Sequence, residues 1–100
     1  MTWQLVIESG AEAEISEAAV WYGQRSPIAR EAFRAAVSDT LAAIERNPLQ
    51  YQVVRGVVRR ALVKRFPYSL LCSISGSQVF VTVCFHTSRD PKRWQRRFPE

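Results

Sequence analysis

Tyr68-Ser69-Leu70-Leu71-Cys72-Ser73-Ile74-Ser75-Gly76-Ser77-Gln78-Val79-Phe80-Val81-Thr82-Val83-Cys84-Phe85-His86-Thr87 decides how the chain folds. Two runs rich in Val, Leu, Ile, Phe and Cys, Tyr68 to Ser75 and Gln78 to Thr87, flank a tight turn that contains glycine. This pattern predicts a β-hairpin. Val57 to Arg65, with three valines and a leucine, predicts a strand ahead of it. Pro67 falls between these strands, where a missing amide donor does least harm. The second half of the chain is therefore sheet.

Working outward, the first half is helical apart from its start. Thr2 to Glu8 places Trp3, Leu5 and Ile7 on one side and reads as a strand. Ser9 and Glu12 then have the spacing of a capping box, a hydroxyl followed three residues on by a carboxylate. Ala11, Ile15, Ala18, Ala19 and Tyr22 follow at helical spacing, with Glu12, Glu14 and Glu17 expected on the outer side and Gly23 as the break. Ser26-Pro27 starts a second helix, a hydroxyl cap followed by proline at the first helical position. Its apolar stripe is Ala29, Phe33, Ala36, Val37, Thr40, Leu41 and Ile44, and Asn47-Pro48 stops it. Asp90-Pro91 resembles one more helix start. The expected order is β-α-α-β-β-β, an α+β domain over residues 1–100. A helical hairpin covers one face of a mostly antiparallel sheet and leaves the other face partly open.

With 100 residues, 47% of them hydrophobic, the chain is composed to fold as one domain. No targeting segment and no apolar run of about 20 residues is visible, so the expectation is a soluble, cytoplasmic protein that does not meet a membrane. Cys72 and Cys84 are read as free, half-buried thiols. A two-residue hairpin loop pairs even-numbered with odd-numbered positions, which would set the two cysteines on opposite faces of the sheet. Their spacing suits no metal site.

Charge separates the two halves. Residues 1–50 carry 4 Lys/Arg against 7 Asp/Glu, net −3, and residues 51–100 carry 10 against 2, net +8. A cationic surface in the second half points to an acidic partner. The candidate surface is Arg59, Arg60, Lys64 and Arg65 with Arg89, Arg93, Arg96 and Arg97, since arginine contacts phosphate and carboxylate alike in bidentate fashion. Trp21, Tyr68 and Trp94 are the candidate aromatic contacts. Aromatics beside arginines suit base stacking, and they suit a core equally. Catalytic motifs are sparse: one histidine, His86, no phosphate loop, no HExxH and no nucleophile elbow. No cofactor or metal site is expected.

Several blocks together resemble the ParE/RelE superfamily of toxins from type II toxin–antitoxin systems. They are Glu12-Ala13-Glu14-Ile15 with Trp21-Tyr22, Ser26-Pro27, Asn47-Pro48, Val58-Arg59-Arg60, Arg65-Phe66-Pro67-Tyr68, and His86-Thr87-Ser88-Arg89-Asp90-Pro91-Lys92-Arg93-Trp94. The resemblance spans nearly the whole chain. It implies a cognate antitoxin, ParD-like or another small DNA-binding protein, whose flexible segment wraps the toxin in a hetero-oligomer.

The superfamily divides into RelE-like members, which cut messenger RNA on the ribosome, and ParE-like members, which inhibit DNA gyrase. Cleavage needs a proton acceptor, a donor, and cations for the developing phosphorane charge. By the resemblance, ribonucleolytic members carry an arginine where this chain has Ser69. Some carry a tyrosine where it has Trp94, whose indole cannot act as an acid. The resemblance therefore implies a ParE-like, plasmid-stabilising inhibitor with gyrase as its target. The alternative is an endoribonuclease using His86 and Arg89. A third reading is a basic binding module of the same fold that has lost toxicity.

Overall fold

The computed structural model describes residues 2–88. The expected helix start at Asp90-Pro91 lies outside them, as do Arg89, Arg93, Trp94, Arg96 and Arg97. The element order is β1 (Gln4–Ile7), α1 (Ser9–Gly23), α2 (Pro27–Arg46), a 3-10 turn (Pro48–Gln50), β2 (Gln52–Arg55), β3 (Val58–Leu62), β4 (Tyr68–Ser75) and β5 (Gln78–His86). All five strands lie in one sheet, in the order β1-β5-β4-β3-β2. Only the β1–β5 pair is parallel. The α+β class, the order and the mostly antiparallel sheet are as the sequence leads one to expect, with β2 as an additional strand. The strand expected over Val57 to Arg65 ends earlier, at Leu62.

α2 is specified locally at both ends. The Ser26 hydroxyl accepts from the Ala29 amide at 3.3 Å, and Pro27 takes the first helical position. The helix ends at Arg46, and the Asn47 side chain caps the next turn by accepting from the Leu49 amide at 3.1 Å. α1 starts differently from expectation. Glu8, not Ser9, is the cap residue, and no side chain caps the helix. The Glu8 amide donates to the Val81 carbonyl (2.9 Å), and its carbonyl accepts from the Glu12 amide (3.0 Å). The strand pairing thus fixes where the helix begins and leaves Ser9 as an ordinary first-turn residue.

The helices pack on one sheet face. Ala11, Ala18 and Ala19 of α1, with Phe33, Val37 and Ile44 of α2, meet Ala61, Val63, Tyr68, Leu70, Cys72, Val79, Val81 and Cys84. An aromatic group joins the layers: Tyr22 stacks on Phe33 at 5.1 Å, and Phe66 and Tyr68 stand edge-on to both. On the opposite face Val58, Leu71, Val83 and Phe85 form a second buried cluster.

Two expectations about side-chain direction are corrected by one irregularity. Pairing runs from Ser75↔Gln78 to Cys72↔Val81, then slips to Leu71↔Val83, so β5 carries an extra residue, Thr82. A β-bulge of this kind inverts the parity of every pair beyond it. Cys84 therefore pairs with Leu70 and joins Cys72 on the helix side, not on the opposite face. Both are buried and unbonded to each other, rather than half-buried. Just past the bulge the Cys84 amide donates to Glu14 Oε1 at 3.0 Å. Glu14 thus turns toward the sheet and does not share the outer side with Glu12 and Glu17.

Candidate functional site

The basic residues of β3 divide between the two faces. Alternation along the strand puts Arg59 with Ala61 and Val63 under the helices, and Arg60 with Val58 on the other face. Arg59 donates to the Tyr51 carbonyl at 2.7 Å and to the Leu49 carbonyl at 3.4 Å. Its guanidinium therefore staples the 3-10 turn to the sheet. Arg60 is exposed, and so are Lys64 and Arg65 in the β3–β4 connection. Arg30–Glu31 is the one salt bridge among the described residues, so these three cations meet no carboxylate there.

Arg65 has φ +74°. This is the left-handed region, where a Cβ crowds the backbone and glycine is favoured. The turn reverses the chain there so that Phe66 can enter the core and the Val63 amide can reach the Tyr68 carbonyl (2.9 Å). The arginine side chain is consequently held outward beside Lys64.

These two cations form one end of a groove of about 560 Å3 between α2 and the end of β3. The α2 wall is Ala32, Ala35, Ala36, Asp39, Thr40 and Ala43, and the other wall is Tyr51, Leu62, Lys64, Arg65 and Phe66. Burial first, then the neighbouring Cys72, raises the Tyr51 pKa, so the groove keeps a phenolic hydroxyl rather than a phenolate. Leu62 stays 58% exposed despite its size. Of these alanines only Ala36 stands out in the sequence, as part of the helix stripe; Ala32, Ala35 and Ala43 do not, because alanine on an outer helix face reads as a good helix former. Their one local signal is the near absence of long charged side chains on that face.

Of the candidate aromatics, Tyr68 is only 6% exposed and belongs to the core. Trp21 lies at the end of α1, half-buried and edge-on to Tyr22. The Arg25 guanidinium sits 3.4 Å from its ring centroid and donates to its carbonyl at 3.0 Å. Tyr22 belongs to the aromatic core group.

The groups able to move protons are few among the described residues. His86 Nδ1 accepts from the Ser88 amide at 3.1 Å, so a neutral ring carries its proton on Nε2. The ring stands edge-on to Tyr68 at 5.1 Å. Burial pushes the Cys72 thiol up to about 11, offset in part by Arg59. Burial, with Glu14 adding to it, pushes the Cys84 thiol up to about 12. Both are therefore protonated and inert as nucleophiles at neutral pH. Ser69 is fully buried and its hydroxyl has no hydrogen-bond partner among the described residues. No group of three or more metal-ligating side chains occurs among the described residues, nor any helix long and apolar enough to cross a membrane.

No protein-family profile matches the chain, and no curated protein matches it. Among solved structures, it is similar to a chain of the "Chromosomal ParDE TA system from P. aeruginosa", with a TM-score of 0.75. The identity is 14%, over 85% of this chain and 96% of that one. At this identity the likeness is one of fold: the two helices and the sheet are arranged as in a chain of a toxin–antitoxin system.

Proposed function

We propose that the chain is the toxin of a two-protein toxin–antitoxin module, arresting growth by binding an essential target rather than by catalysis. The target is DNA gyrase, and a cognate ParD-like antitoxin neutralises the toxin. The observation that carries the reading is the fold shared with a ParDE chain. The state of the described sheet favours binding over cleavage. Ser69 is buried, Tyr68 is core, Arg59 is bound to loop carbonyls, and both thiols are protonated. What is presented outward is cationic and apolar: Arg60, Lys64, Arg65 and Leu62. Such a surface attracts an acidic partner and speeds association.

Induced expression is expected to stop growth, and co-expression of the protein encoded beside it to restore growth. One specific observation favours a second reading, an endoribonuclease: His86 is half-exposed and carries a donor-competent Nε2. Primer extension on cellular messages after induction separates the two. New cuts that vanish in His86→Ala and Arg89→Ala variants would replace the gyrase reading with the nuclease.

A further inference from the structure

Leu49, Val53 and Val57 leave large aliphatic side chains in solvent, one in the 3-10 turn, one on β2 and one in the β2–β3 turn. Folding does not account for them. Pairing of Arg55 with Val58 leaves Gly56-Val57 as a two-residue loop, in which Gly56 supplies the positive φ, +52°. Such loops favour Asn, Asp, Gly or Ser. Val57 is 67% exposed there, so it offers neither turn chemistry nor burial. Residues that break a local rule without stabilising the fold are the ones to suspect of function.

The stretch that carries them is held firmly. Arg59 donates to the carbonyls of Leu49 and Tyr51, and the Asn47 side chain accepts from the Leu49 amide. The Gln50 side chain donates to the Ala43 carbonyl at 3.1 Å, and Val53 pairs with Arg59 in the ladder. The three apolar groups therefore stand on a pre-formed, projecting ridge, and little ordering entropy opposes its binding. Its charge has one sign. From Arg46 to Ser88 the chain has no Asp or Glu, and Arg46 and Arg60 are exposed.

We infer that this ridge is the surface by which the chain holds its target, a folded protein whose apolar cleft is rimmed by carboxylates. The inference rests on the toxin reading above and adds where the target is held. Aliphatic side chains among arginines match the apolar centre and charged rim of a protein interface. Nucleic acid fits less well, because bases stack on aromatic rings and Leu49, Val53 and Val57 offer none. A second copy of this chain also fits less well, since its own ridge brings Arg46 and Arg60 and no carboxylate. A disordered segment gains most from a groove that surrounds it, whereas a rigid projecting ridge matches a cleft in a folded surface.

The test compares the full-length wild type with the triple variant Leu49→Gln, Val53→Thr, Val57→Asn, which keeps every charge and suits the same backbone. DNA gyrase and the neighbouring gene's product are the binding probes, and growth after induction is scored alongside. The triple variant is expected to bind gyrase at least about tenfold more weakly and to spare growth, while the neighbouring gene's product binds it within about threefold of wild type. Val57→Asn alone, better suited to the turn than valine, is expected to melt no lower than wild type and to bind gyrase about threefold more weakly. Ile28→Glu, at an exposed apolar position on α2, is expected to leave binding unchanged. The inference is overturned if a ridge variant folds and holds gyrase as tightly as wild type, or if Ile28→Glu weakens binding as much. It is also overturned if the triple variant loses the neighbouring gene's product and keeps gyrase, which would make the ridge the antitoxin's. Growth separates this inference from the reading beneath it. Wild type that arrests growth without binding gyrase loses gyrase as the target, and the ridge is then overturned if the triple variant still arrests growth and upheld if it does not. Wild type that spares growth overturns the toxin reading, and the ridge with it.

Discussion

Individual residues show where the chain favours stability and where it does not. Arg65 holds φ +74° with a full side chain. Arg65→Gly is expected to raise the unfolding free energy by about 0.5–1 kcal/mol, the relief of the left-handed strain less the added freedom of the unfolded chain. Urea denaturation checks it, and a loss of stability would show that the guanidinium makes contacts that outweigh the strain. The two thiols give a pH prediction. Their folded pKa values, about 11 and about 12, lie above the ordinary 9.0. The protonated form is thus favoured by folding, so this stabilisation is complete below pH 9 and is lost as pH rises through 11 to 12. The melting temperature should fall over that range, and fall less in a Cys72→Ala, Cys84→Ala variant than its own neutral-pH value leads one to expect. Both thiols should resist a disulfide-exchange reagent at pH 8 until the protein unfolds.

Elements were legible in the sequence to the extent that their signals are local. α2 has its cap, its proline, its stripe and its stop within its own residues, and it forms as read. Ser26→Ala is expected to cost about 1 kcal/mol of stability by leaving the Ala29 amide without its acceptor, measurable by thermal or urea unfolding. The β4–β5 hairpin is legible for the same reason: Gly76 alone supplies the positive φ, +61°, at the first position of its two-residue loop. Other features depend on pairing and carry no local mark. Thr82 is an ordinary strand residue, and only the ladder makes it a bulge, which is why Cys84 faces the helices. β2 has just two apolar residues, Val53 and Val54, and exists because Val58–Arg60 offers it an edge. Glu8 becomes the cap of α1 because Val81 holds its amide.

At the scale of the molecule, the charge difference between the halves was visible, but its placement was not. Counting arginines treats Arg59 and Arg60 as equivalent. Strand alternation gives the first to loop carbonyls beneath the helices and the second to solvent. The groove is even less visible in sequence, since it joins α2 to a turn more than twenty residues further along, through alanines with no chemistry of their own. The fold is similar to that of a chain of the P. aeruginosa ParDE system, and the described residues present cations and exposed apolar surface more readily than proton-transfer groups. Both features support the proposed inhibition by binding. Its most direct test adds the purified protein to DNA gyrase, ATP and relaxed plasmid, and follows supercoiling on a gel. Dose-dependent loss of supercoiling, reversed by the neighbouring gene's product, is the predicted result. Undiminished supercoiling at concentrations of protein that arrest growth would contradict it.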